Sequence, residues 1–166
     1  MFDFLKKNKK TEKITELDLF AIADGELVGI DQVADPVFSQ KMMGDGFAII
    51  PTGNEIYAPC LGEILNVFPT KHAIAMKAGE LEVLLHLGID TVTLNGEPFD
   101  VKVVEADQVT YENLVATADI AMIEESGKDT AMMVIFTNGN DVIESFVLDK
   151  TGSVSKGEKI GKIILK

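Results

Sequence analysis

The chain has 166 residues, 46% hydrophobic and 25% charged, with a formal net charge of −12 and no tryptophan. That composition is too apolar for a disordered chain and matches one ordinary globular domain with a single well-buried core. All 15 basic residues are lysines, so there is no guanidinium for bidentate phosphate recognition and no uniform basic face to grip nucleic acid.

Residues 1–13 carry five lysines against Asp3 and Glu12, with Phe2, Phe4 and Leu5 among them. No apolar core or cleavage site follows, so this is read as a basic tail rather than a signal peptide. It is either solvated or amphipathic, with residues 2–10 able to touch an anionic membrane surface. Residues 14–166 read as one domain. Within it the pattern predicts strands at 27–30, 47–50, 62–67, 73–76, 81–87, 91–94, 99–104, 131–137, 146–148 and 159–165. Short helical pieces are predicted at 13–17, 35–42 and 114–125. Gly44-Asp45-Gly46, Pro51-Thr52-Gly53-Asn54, Asn95-Gly96-Glu97-Pro98 and Asn138-Gly139-Asn140-Asp141 punctuate the strands. Short strands at this spacing argue for an all-β antiparallel sandwich or barrel. Residues 21–30 resemble 58–67 at an offset of 37, and 47–50 fall on 84–87 at the same offset, which suggests duplicated hairpin units.

The charge is unevenly placed. Residues 14–149 hold five lysines against 24 acids, whereas 150–166 hold five lysines against Glu158 alone. An acidic body draws basic partners, and it also serves solubility. A single cysteine, Cys60, permits no intrachain disulfide, which fits a reducing compartment, and with no histidine beside it the thiol is read as packed. No apolar run approaches the roughly 20 residues of a membrane span, and the chain is read as cytoplasmic.

Chemistry concentrates on the only two histidines, His72 and His86, in two predicted strands about a turn. Their midpoint is Gly79. A hairpin centred there pairs them directly, with Ile74, Met76, Glu82 and Leu84 on the same face. A slip of one residue would separate them. Facing imidazoles support phosphoryl transfer, one nitrogen acting as nucleophile while the partner ring and a hydroxyl such as Thr70 bond a phosphoryl oxygen. They also suit a metal, with Asp90 as third ligand, or a purely structural pair. Ala75-Met76-Lys77 echoes the lysine hairpin of biotinyl carriers, but the second methionine is missing.

At these residues the chain resembles the glucose-family enzyme IIA of the bacterial sugar phosphotransferase system. The matching words, in order, are Gly44-Asp45-Gly46, Pro51-Thr52-Gly53-Asn54, Thr70-Lys71-His72-Ala73 and His86-Leu87-Gly88-Ile89-Asp90-Thr91, with Asn95-Gly96-Glu97-Pro98 and Thr137-Asn138 downstream. The resemblance implies that His86 accepts phosphate from the histidine phosphocarrier protein HPr and passes it to a cysteine on the enzyme IIB domain of a sugar permease. It implies that His72 bonds the phosphoryl group with support from Thr70, that Asp35 and Asp90 flank the site, and that Phe38, Phe68 and Leu84 form an apolar collar for both partners. The phosphoryl group is carried covalently, so neither cofactor nor metal is implied. Between the histidines the chain is one residue shorter than the family pattern, in the 77–80 turn. Two rivals remain: a zinc hydrolase, which would need a third firm ligand and a His-x-His pair that this chain lacks, and a binding protein that has kept the fold without the transfer.

Overall fold

The computed structural model describes residues 13–166, so the expected membrane-touching stretch 2–10 lies outside the described residues. Along the chain run strands β1 (Glu16–Phe20), β2 (Gly25–Gly29), β3 (Asp45–Pro51), β4 (Glu55–Tyr57), β5 (Gly62–Val67), β6 (Ala73–Ala78) and β7 (Leu81–Ile89). Then follow β8 (Phe99–Val101), β9 (Gln108–Val109), β10 (Leu114–Ala118), β11 (Asp129–Phe136), β12 (Ile143–Leu148), β13 (Gly152–Val154) and β14 (Lys159–Leu165). Eight strands make one sheet in the order β13-β2-β3-β11-β7-β6-β5-β9, and two three-stranded sheets, β1-β14-β12 and β4-β10-β8, accompany it. Every described pairing is antiparallel, as the short, turn-punctuated segments predict.

The large sheet buries both faces, for different purposes. One face presents Leu27, Phe47, Ile49, Ile64, Ile74, Met76, Val83, Leu85, Leu87, Met132, Val134 and Phe136 to the main core, where Leu19 of β1, Ile56 of β4 and Val115 of β10 also pack. The other face carries a smaller cluster of Ala48, Ala73, Leu84, Ala131, Met133 and Ile135, covered by Ile30, Val33, Phe38 and Ile89. Alternation along each strand sorts the two sets.

Several predicted elements take another form. Residues 13–17, expected as helix, contribute instead to β1, where buried Leu17 and Leu19 alternate with exposed Glu16 and Asp18 against β14. The expected helix at 35–42 is only the turn Pro36–Ser39. That at 114–125 divides into β10 and the helix Ile120–Glu125, capped by the Asp119 carboxylate accepting from the Met122 N–H at 3.1 Å. The expected strand at 91–94 is a 3-10 turn, because Asp90 takes a left-handed φ of 61° and turns the chain out of β7. The repeat has a physical trace: the Phe20 N–H donates to the Pro59 carbonyl at 2.9 Å, and the Tyr57 N–H to the Ile22 carbonyl at 2.7 Å. Residues 20 and 22 thus mirror 57 and 59. β3 and β7 likewise flank β11 on either side, although β6 intervenes between β7 and β5.

Candidate functional site

The register of the β6–β7 hairpin differs from the expectation. Ala78 pairs with Leu81, leaving the two-residue turn Gly79-Glu80, and Ala73 stands opposite His86. An even-length turn centres the ladder between two residues, so two histidines symmetric about Gly79 cannot oppose each other in it. Ile74 and Met76 accordingly lie on the main-core face, not beside His86, whereas Leu84 does share its face. The histidines still meet. His72 stands one residue before β6, after Lys71 at a left-handed φ of 59°, and escapes strand alternation. Its carbonyl accepts from the Leu87 N–H at 2.7 Å, and the Lys71 N–H donates to the Phe68 carbonyl at 2.8 Å, which ties the turn to both strands. The imidazole centroids lie 5.1 Å apart, nearly perpendicular at 79°.

The sheet leaves room for this. A cross-strand row runs Val28, Ala48, Met133, His86, Ala73 through β2, β3, β11, β7 and β6. The alanine directly beside His86 cannot fill the space above it, and the His72 and Phe68 rings take it. Phe68 meets His72 edge-on at 5.6 Å, and Phe38 tilts against His86 at 5.0 Å. Leu84 and Phe38 are buried and Phe68 half-buried in the same cluster. Phe38 and Phe68 thus lie against the pair, and Leu84 shares their cluster on the same sheet face two residues before His86.

Hydrogen bonds define the rings. His86 Nδ1 lies 2.8 Å from the Gly88 carbonyl, which only accepts, so Nδ1 carries the proton and Nε2 keeps its lone pair. His72 Nδ1 lies 2.5 Å from Thr70 Oγ1. A hydroxyl donating to that nitrogen leaves the His72 proton on Nε2. Burial is the main cause holding the His86 ring below its usual 6.5; the Gly88 bond opposes it, His72 adds to it, and Asp35 and Asp90 oppose it. Burial lowers His72 as well. Both rings are therefore neutral near pH 7.

Asp35 and Asp90 thus reach His86 through their charge. Asp35 Oδ1 also accepts the Val37 N–H at 2.8 Å, capping the Pro36–Ser39 turn that presents Phe38. Two positions carry roles that pattern reading had not assigned, although both stand within the quoted motif. Gly88, at φ 81°, kinks β7 so that its carbonyl turns back to His86; a Cβ there would lie 2.5 Å from Thr91 Cγ2 and 2.9 Å from the Asp129 carbonyl oxygen. Fully buried Thr91 donates its hydroxyl to the Leu87 carbonyl at 2.5 Å, closing the kink. Cys60 is buried in the core, its thiol pushed up to about 12, as a packed thiol should be. Among the described residues no three His, Cys, Asp or Glu side chains gather closely enough to hold a metal ion.

Residues 17–142 match the family described as phosphoenolpyruvate-dependent sugar phosphotransferase system, EIIA 1. A glucose-specific EIICBA component of Streptococcus pneumoniae is 47% identical over 150 residues, 89% of this chain, which spans only 20% of that protein's length. A glucose-specific EIIA component of Staphylococcus aureus is 40% identical over 153 residues, covering 92% of this chain and 90% of the relative. The solved glucose permease IIA from Mycoplasma capricolum superposes with a TM-score of 0.77 at 34% identity, covering 90% of this chain and 96% of its own.

Proposed function

Since the chain belongs to the EIIA 1 family of the phosphoenolpyruvate-dependent sugar phosphotransferase system, a phosphotransferase component, we propose that His86 is the residue on which it carries phosphate. The observation that supports this most directly is the bond from His86 Nδ1 to the Gly88 carbonyl, which leaves a neutral ring with its Nε2 lone pair free. The donor is the phosphohistidine of HPr. His86 Nε2 attacks its phosphorus, the donor's P–N bond breaks, and the electron pair returns to the donor nitrogen. In the second step the thiolate of an enzyme IIB cysteine attacks the same phosphorus and the pair in the new P–N bond returns to His86. His72 donates its Nε2–H to a phosphoryl oxygen, and Thr70 fixes that tautomer. Asp35 and Asp90 oppose the charge of the phosphate, which keeps the phosphohistidine ready to release it. Phe38, Phe68 and Leu84 exclude water around the reacting atoms.

The relay is placed in the cytoplasm because both of its proposed partners, HPr and an enzyme IIB domain, act there; among the described residues no helix is long and apolar enough to cross a membrane. The names of the relatives support glucose as the sugar served, with the permease rather than this chain making the choice. The test is an intact-mass spectrum after incubation with phosphoenolpyruvate, enzyme I and HPr. One acid-labile phosphate on the wild type, absent from His86→Gln, is expected. Phosphorylated HPr beside an unmodified wild-type chain would overturn the proposal.

A further inference from the structure

Among the described residues the thioethers divide by exposure. Met76, Met132 and Met133 are fully buried and Met122 is half-buried, whereas Met42 is 71% exposed and Met43 36%. The exposed pair follows the Pro36–Ser39 turn. The Met42 N–H donates to the Val37 carbonyl at 3.2 Å, and the Lys41 N–H to the Phe38 carbonyl at 3.0 Å. Phe38 is the ring lying against His86. Met42 therefore sits one backbone turn from the side chain that covers the nucleophile, next to exposed Val37. Its bend is held in place: Lys41 has φ 60°, Gly44 has φ 133° with no room for a Cβ beside the Phe136 carbonyl, and Lys41 and Asp45 form an ion pair at 3.6 Å across the loop. A phosphoryl partner must bring its own reacting atom to His86, so its surface closes over whatever surrounds that ring. Polarisable thioethers suit a surface that accepts two different proteins in turn. They are also the side chains there most open to oxidation.

We propose that Met42, joined by Met43, is a redox modification site at which conversion of the thioether to the sulfoxide weakens capture of the phosphoryl donor and acceptor. This rests on the relay reading given above. The oxidant is a peroxide. A sulfur lone pair attacks one peroxide oxygen, the O–O bond breaks, an S–O bond forms, and the second oxygen leaves as water with both protons. Sulfur loses two electrons and peroxide gains them. A thiol-dependent sulfoxide reductase reverses the change. The product places a strongly polar S–O group where an apolar surface must be desolvated. The thiol of Cys60 does not compete, because it is buried and has no accessible thiolate.

The experiment treats the full chain with hydrogen peroxide, maps the added oxygen by peptide mass, and measures single-turnover phosphate uptake from phospho-HPr before and after. Oxygen is expected first on Met42, then Met43, with Met76, Met132 and Met133 last. The HPr concentration for half-maximal uptake should rise about fivefold or more while the limiting rate changes little, and sulfoxide reductase should restore it. Restoration separates this from oxidation of the histidines, which that enzyme does not repair. Met42→Leu should lose most of the response and Met42→Leu/Met43→Leu all of it, each compared with its own untreated sample. Oxidised Met42 with unchanged uptake, or a response that persists in the double variant, overturns the proposal. Untreated protein that takes up no phosphate is a different result: it overturns the relay reading, and this inference falls with it.

Discussion

His72, one residue ahead of β6, and His86 in β7 occupy positions that the register of the two strands assigns to opposite faces of the sheet, yet their rings meet edge to face with centroids 5.1 Å apart. The left-handed Lys71 just ahead of His72 makes this possible, because it releases His72 from the alternation that governs Ala73 onward. The pairing is thus a property of a turn rather than of a ladder, and the groups that hold the turn become testable.

His72 and His86 should fail differently. His72→Gln should still take up one phosphate on His86 but deliver it to an enzyme IIB domain roughly 10²-fold more slowly, since it removes a donor from the transferring group without removing the nucleophile. Rapid-quench measurement of both half-reactions decides this. Equal loss in both would mean that His72 also positions His86.

Thr70 acts through His72. Thr70→Ala should slow delivery while leaving the fold's stability within about 1 kcal/mol, and Thr70→Ser should restore it, because only the hydroxyl that contacts His72 Nδ1 at 2.5 Å matters. Nitrogen chemical shifts of the ring should report loss of the single His72 tautomer in the alanine variant alone.

The pH dependence follows from the direction of the shifts. Burial lowers both imidazoles below the usual 6.5. Uptake by neutral His86 should therefore be level above about pH 6.5 and decline only further below it. For stability, the unfolded chain binds these protons before the native one does. The contribution of the neutral pair is present above the unfolded value and is lost as pH falls through 6.5 toward the lower folded values. Urea unfolding from pH 7.5 to 5 should lose stability more steeply in wild type than in His72→Gln/His86→Gln, approximate bounds that keep most carboxylates ionised.

Gly88 and Thr91 should prove costly to change although neither meets phosphate. Gly88→Ala must accommodate a methyl 2.5 Å from Thr91 Cγ2 at a φ of 81°, for a loss of about 1–3 kcal/mol. Thr91→Val removes the bond to the Leu87 carbonyl and should cost about 1–3 kcal/mol. Chemical denaturation measures both. Gly88→Ala should in addition reduce phosphate uptake, because the carbonyl that orients His86 moves.

Ala73 makes room for the pair. Ala73→Leu, directly across from His86, should overpack the space taken by the His72 and Phe68 rings, destabilise by about 1–3 kcal/mol and slow delivery more than uptake. Thermal unfolding and the two half-reaction rates together check it; unchanged delivery would show that the row is not limiting.

Much was legible in the residues themselves. Turn words and alternating apolar positions were enough for an antiparallel β fold, since side-chain period and turn chemistry are local properties. The motif order pointed to the histidines and Thr70, and the family resemblance it carried to the apolar collar of Phe38, Phe68 and Leu84; these do gather at one place. Residues 13–17 and 91–94 differ from their predicted form for a local reason: runs of four or five mixed apolar and polar residues suit either period, and the choice fell to β14 in one case and to the backbone of Asp90 in the other. Hairpin register was beyond the sequence reading, because one residue in the Gly79-Glu80 turn reverses the faces of β6 relative to those of β7. Only the folded chain decided that Lys71 would undo that reversal for His72, and that the Gly88 carbonyl would turn back to select the His86 tautomer. Composition and motif determine which chemical groups are present. Which nitrogen is free depends on backbone directions that long-range pairing imposes.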